Sequence, residues 1–132
     1  LSGRGYHHDI SVPIKRIPEF LAMTKPAIER IVGKSIVYTF GHLGDGNLHF
    51  TKQQPETMSE TEFLDKTHEI NREVHNAAET LGGSFSAEHG IGSKLMDDLV
   101  HFSDPVKIQL MQTIKKSLDP KNIMNPNKLI KI

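Results

Sequence analysis

The chain reads as an α+β domain: an antiparallel sheet with helices against one face, and further helices at the C-terminal end. Three observations carry this reading. Residues 8–14, "HDISVPI", alternate between apolar and polar, as a half-buried strand does. An Asp-Gly pair at 45–46 stands between two apolar runs, the strongest short-range hairpin signal, because both positions of a type I′ turn need φ > 0. Two segments with helical period lie between these strands and a last extended stretch. The resulting order, β-α-β-β-α-β, is the split-βαβ, ferredoxin-like plan.

Each element has its own signal. Pro13 closes the first strand, and Pro18 suits the first turn of a helix. Phe20, Leu21, Ala27, Ile28, Ile31 and Val32 give that helix one apolar stripe, and Gly33 ends it. Pro26 lies inside the pattern and is expected to kink the helix. Residues 35–43 and 47–52 form the arms of the hairpin. With Asp45 and Gly46 as its two loop residues, Gly44 pairs with Asn47, Leu43 with Leu48 and His42 with His49. Ser59 followed by Glu62 is a capping box. One long helix is expected after it, with Phe63, Ile70, Val74, Ala77, Ala78 and Leu81 inward and Gly82-Gly83 as the stop. Residues 84–90, "SFSAEHG", read as a short strand. A short helix is expected at about 93–100. Ser103-Asp104-Pro105 starts another, carrying Val106, Leu110, Met111, Ile114 and Leu118, and the tail is loop-like.

Composition narrows the function. A length of 132 residues suits one domain with a real core. Sixteen basic residues balance sixteen acidic ones, which leaves no electrostatic footprint for nucleic acid or an anionic membrane. The absence of Cys rules out disulfides, Cys-ligated zinc and iron–sulfur clusters. No apolar run approaches the ~20 residues of a membrane span. The chain begins at Leu1 rather than Met, so it is expected to be a fragment of a longer protein. One face of the first hairpin arm carries Ile36, Tyr38, Phe40 and His42, and the other Val37, Thr39, Gly41 and Leu43. Neither alternates cleanly with water-facing residues. Two helices cover one face of a sheet, so a partner outside the chain is expected on the other.

Eight histidines leave the question of which ones do chemistry. Two imidazoles opposed across a hairpin share a face, and His42 with His49 is therefore a candidate metal-binding pair. Imidazole suits zinc, iron, copper or nickel, with a third ligand required. Glu88 and His89, in "SAEHGIGSKL", are the candidates that complete the site. Adjacent strand residues point to opposite faces, so both reach one place only if the strand ends there, and Gly90 and Gly92 permit that. Two imidazoles and a carboxylate leave positions open on the metal, as catalytic sites do. His68 and His75 lie seven apart on one helix face and read as surface or rim residues. His101 is expected in a loop. His7 precedes the first strand and is placed to approach the hairpin site.

"GHLGDGNLH", "SAEHGIGSKL" and "LDPKNIMNPNKL", in this order and spacing, resemble the C-terminal substrate domain of FAD-linked 2-hydroxy-acid dehydrogenases and oxidases. That group includes the D-lactate dehydrogenases, the glycolate oxidase flavoprotein subunit and D-2-hydroxyglutarate dehydrogenase, within the vanillyl-alcohol-oxidase flavoprotein family. The likeness runs from about Asp9 to the C-terminus. It implies that an FAD-binding domain precedes this one in the full-length protein, which would cover the second apolar face. It makes His42, His49 and Glu88 ligands of a divalent metal, zinc the leading candidate. His89 becomes the residue that contacts the substrate hydroxyl and acts as base, and Asn125 approaches the flavin. Two positions depart from the pattern. Enzymes acting on 2-hydroxyglutarate resemble "KYDLSLP" where this chain has "HHDISVP", so a substrate-binding Lys is His7 here. Thr51 stands where they place an Asn.

The implied reaction is oxidation of a D-2-hydroxy acid to a 2-oxo acid. The metal would lower the pKa of the substrate hydroxyl. Imidazole, with an ordinary pKa near ~6.5, suits a base at neutral pH. The flavin would accept the hydride and pass electrons to an acceptor that the sequence does not name. The resemblance places such a protein in the cytoplasm, or in the mitochondrial matrix of a eukaryote. No glycine-rich phosphate loop lies between a strand and a helix, so the chain alone is expected to bind no FAD and to be inert. Its uncovered face should also make it self-associate. Two other readings stand beside this one: a metal-dependent hydrolase using the same ligands, and a non-enzymatic ferredoxin-like ligand-binding module.

Overall fold

The computed structural model describes residues 4–131. It divides into two compact units, the first ending at His89 and the second beginning at Gly90. The first unit holds a three-stranded antiparallel sheet in the order β1-β3-β2, built from β1 (Gly5–Ser11), β2 (Val37–Phe40) and β3 (Asn47–Gln53). An isolated bridge between Ser11 and Ser84 sits on the outer edge of β1. With it, the spatial order becomes that of the ferredoxin-like plan. The α1 helix (Ile17–Val32) and the α3 helix (Thr67–Thr80) supply the helical layer, with the short α2 (Glu60–Asp65) preceding α3.

Alternation along the strands separates two faces. Ile10, Val12, Leu48 and Phe50 are buried together with Phe20 and Ile28 of α1 and Ile70 and Val74 of α3. Each full burial of such a side chain is worth about 1.5–3 kcal/mol, and this layer holds the unit together. The opposite parity places His7, Asp9, Thr51, His49, Tyr38 and Phe40 on the other face. That face is only partly covered: Tyr38 is 48% and Phe40 61% exposed. The apolar part of this face is Tyr38 and Phe40 of β2, which lie beside the polar residues of β1 and β3.

Several expectations need correction. The first strand ends at Ser11, and Pro13 with Ile14 belongs to a 3-10 turn, because Pro has no N–H for the ladder. The hairpin is not a two-residue type I′ turn. Phe40, rather than His42, pairs with His49, and the chain turns through a 3-10 segment, Leu43–Asp45. There Asp45 N donates to His42 O at 3.0 Å and Gly46 N to Leu43 O at 3.1 Å. Only Gly46 of the Asp-Gly pair has positive φ, at 70°. Its α-carbon packs so close to β1's continuation that a Cβ would meet Val12 O at 2.2 Å. The Asp-Gly signal marks the left-handed residue correctly and undercounts the loop.

The helix after the capping box is two helices. Ser59 and Glu62 do form the box, but α2 ends at Asp65 with Lys66 as its C-cap, and there the Thr67 hydroxyl donates to Leu64 O at 2.7 Å and competes with the helical ladder. The α1 helix runs unbroken through Pro26. His75 is buried at 2% exposure, not on the rim. Its ring lies 5.5 Å from that of His8 and 5.7 Å from that of Phe85. His68 is exposed as expected.

Residues 84–90 make no continuous strand. Ser84 exchanges two bonds with Ser11, yet the next bond to β1 comes from Ala87 N to Asp9 O at 3.1 Å, one residue later than a regular ladder requires. Ser86 N turns instead to the Ser84 hydroxyl at 3.3 Å. The extra residue is a bulge, and it ends the pairing.

In the second unit, α4 spans Met96–Phe102 and α5 Pro105–Leu118. The first of these lies a few residues later than expected and takes in His101. Asp104 caps α5 by accepting from Val106 N at 2.7 Å. No residue of α5 is buried; Val106, Leu110, Ile114 and Leu118 form an exposed apolar stripe. Asp119 closes the helix, accepting from Ile123 N and Met124 N at 2.9 Å and pairing with Lys115, whose ammonium holds the Asp119 carboxyl below its ordinary range. No described helix is long and apolar enough to cross a membrane.

Candidate metal and substrate site

The open face of the first unit gathers the chemistry. His49 leaves β3 beside Asp9 of β1, its partner in register. Because the hairpin loop is long, His42 approaches from the turn rather than from across the strand. Glu88 and His89 arrive on the bulged segment after Ser84. The Glu88 carboxylate joins the two hairpin histidines: Oε1 lies 2.9 Å from His49 Nε2 and Oε2 lies 3.5 Å from His42 Nδ1. The two rings are 6.2 Å apart, centre to centre. His89 stands on the other side, its ring 5.4 Å from that of His49 and its Nε2 4.0 Å from Glu88 Oε1.

Ligand atoms of Asp9, His49, Glu88 and His89 all lie within 4.8 Å of one another. Two imidazoles and two carboxylates around one point make a donor set that suits zinc and other borderline divalent ions; His42 stands outside this group and reaches it through Glu88. His42 and His89 are largely exposed, His49 is mostly covered, and Asp9 is the most buried, its side chain 8% exposed. Burial by itself would push the Asp9 carboxyl up. Donation from the backbone N–H groups of His89 and Glu88 and from the Asn47 amide outweighs it and holds the pKa below the ordinary value.

His7 and Thr51 sit two positions along β1 and β3 from Asp9 and His49, on the same face. They pair in register, with His7 Nδ1 2.8 Å from Thr51 Oγ1. The structure therefore brings His7, His42, His49, Thr51, Glu88 and His89 to one face of one sheet. Asn125 belongs to the second unit, where it is exposed and left-handed with φ 48°. Sequence reasoning missed Asp9, an acidic residue on the same strand face as His7.

A family model described as FAD linked oxidases, C-terminal domain, matches residues 2–129. The chain belongs to this family. Among curated relatives, the D-2-hydroxyglutarate dehydrogenase of Stutzerimonas stutzeri is 38% identical over 128 residues, covering 94% of this chain and 27% of the relative. The D-lactate dehydrogenase of Anaerostipes hadrus is 38% identical over 121 residues, covering 92% and 25%. The mitochondrial D-2-hydroxyglutarate dehydrogenase of Bos taurus is 35% identical over 132 residues, covering 97% and 22%. The chain thus spans about a quarter of the length of these relatives. The match to the FAD-linked oxidase C-terminal domain begins before the first strand, earlier than the motifs alone indicate.

Proposed function

We propose that this chain is the substrate-binding and metal-binding domain of a flavin-dependent dehydrogenase that oxidises a D-2-hydroxy acid to the 2-oxo acid. The observation that carries the proposal is the Glu88 carboxylate standing between His42 and His49, with His89 beside it and its ring open to solvent. His42, His49 and Glu88 would hold a divalent cation, zinc first among the candidates. When bound, that ion supplies Lewis-acid charge, and a flavin held by a preceding domain of the full-length protein supplies the hydride acceptor. His89 takes the hydroxyl proton at Nε2, the ring nitrogen farther from Asp9, which lies 3.8 Å from Nδ1. With the cation bound, His49 would present its Nε2 lone pair to the ion and carry its proton at Nδ1, the nitrogen on the Asp9 side, 3.9 Å from Oδ1. His7 and Thr51 line the next step of the face and contact the rest of the substrate. Asn125 would face the flavin. The exposed apolar residues Tyr38 and Phe40 close against the flavin domain and exclude water from the reacting carbon.

The relatives named as acting on D-2-hydroxyglutarate and D-lactate support the substrate class. A two-His, one-carboxylate hydrolase would use the same ligands, and the family match favours the dehydrogenase. The test uses the full-length protein, a redox dye and a panel of D-2-hydroxy acids. His42→Ala and His49→Ala are expected to lower turnover at least about a hundredfold while leaving the thermal midpoint within a few degrees of the parent. Turnover unchanged in both variants would overturn the assignment of these ligands.

A further inference from the structure

Glu88 and His89 are neighbours in sequence, and in a regular strand they would point to opposite faces. Here both address one site. The cause lies in Asp9, a residue that neither touches the substrate nor holds the ion in the proposed reaction. Asp9 Oδ2 accepts from the backbone N–H of Glu88 at 2.8 Å and of His89 at 2.7 Å. Asp9 Oδ1 accepts from Asn47 Nδ2 at 2.9 Å, and Asn47 Oδ1 in turn faces the His42 backbone N–H at 3.5 Å. The same carboxylate approaches His49 Nδ1 at 3.9 Å and His89 Nδ1 at 3.8 Å. All four site residues, which come from three separate stretches of chain, therefore trace back to one buried side chain.

Three donors take three of the roughly four acceptor positions on the two carboxylate oxygens of Asp9, which favours a supporting role over direct ligation although its oxygen lies within reach of the cluster. A carboxylate behind a ligating histidine fixes the ring's tautomer and orientation, and removing such a partner costs roughly 10–100-fold in metal affinity. We propose that Asp9 is the positioning residue of this site: it clamps the Glu88–His89 backbone and steers the His49 and His89 rings to one point. The proposal rests on the metal-binding reading above for its consequence in affinity, and on geometry alone for the clamp.

The experiment compares the parent full-length protein with Asp9→Asn and Asp9→Glu through two readouts. Titration with Co²⁺, followed by its visible spectrum, measures affinity and coordination. Hydrogen exchange measures protection of the Glu88 and His89 amides. Asp9→Asn is expected to weaken Co²⁺ binding 10–100-fold with an unchanged band shape, and to speed exchange at those two amides at least tenfold. Asp9→Glu should restore part of both. Lost stability with unchanged Co²⁺ affinity and unchanged exchange would mean a merely structural residue and overturn the proposal. An altered Co²⁺ band shape would make Asp9 a direct ligand and overturn it too. If the parent binds no Co²⁺, the metal reading fails, and the exchange readout alone decides whether Asp9 clamps the loop.

Discussion

Acid should destabilise the first unit through a histidine that takes no part in the chemistry. His8 lies on the core face of β1, 5% exposed. Its Nε2 is 2.8 Å from Asn71 Oδ1 and its Nδ1 3.3 Å from Phe50 O. A neutral ring has one N–H, which the shorter contact assigns to Nε2. Burial above all, and then the neighbouring His75, lower the pKa of His8 from 6.5 to about 4, against the opposing contacts with Asn71 and Phe50. Above pH 6.5 both the folded and unfolded chains hold this ring neutral, and its contribution to stability is complete. Below 6.5 the unfolded chain takes a proton that the folded chain refuses, so stability falls until about pH 4. A difference of about 2.5 in pKa, at about 1.4 kcal/mol each, amounts to roughly 3 kcal/mol. That is a large share of the ~5–15 kcal/mol that holds a typical domain folded. The assay is urea denaturation of the parent and of His8→Gln from pH 7.5 to 4. Subtracting one curve from the other removes the carboxylates they share. The parent should lose about 3 kcal/mol more than the variant over that range. Parallel curves would refute the reasoning, since they would mean that His8 is not held neutral by the fold.

Lys52→Met should raise the thermal midpoint by several degrees. Lys52 is fully buried on β3 and its Nζ has no hydrogen-bond partner among the described residues; burial pushes its pKa down, and an unsatisfied buried group costs about 1–3 kcal/mol. Gly46→Ala should cost more than about 1 kcal/mol, because φ is 70° and a Cβ would strike Val12 O; an unchanged denaturation midpoint would show that the turn is not held against β1. The 132-residue chain, made alone, should be colourless and fail to reduce dye with any D-2-hydroxy acid; a yellow, active preparation would place the flavin site within these residues.

The ferredoxin-like plan was legible because it rests on periodicity and on strong punctuation at Gly33, Ser59 and Gly82-Gly83. The helix break at Lys66 was not, because it depends on one hydroxyl competing for the Leu64 carbonyl. Register was the larger failure. The Asp-Gly pair locates the left-handed residue at Gly46 but says nothing of the 3-10 turn before it, so hairpin spacing alone puts His42 across from His49, where Phe40 stands. The site still assembles, because Glu88 spans the distance that the strands do not. Its residue types and motifs were visible in the sequence. Asp9 was not visible as part of it: its role depends on long-range bonds to Asn47, Glu88 and His89 that no local pattern encodes. His75 looked like a rim residue from its spacing to His68, whereas burial of its ring depends on His8 and Phe85 arriving from elsewhere.

The central claim is that His42, His49 and Glu88 hold a divalent ion on which oxidation of the 2-hydroxy acid depends. The most direct measurement is metal content against turnover in the full-length protein, through exhaustive chelation and add-back. Turnover should fall in proportion to the metal removed, return with about one equivalent of zinc or a similar ion, and fail to return in His49→Ala. Full turnover in protein stripped of divalent metal would contradict the account.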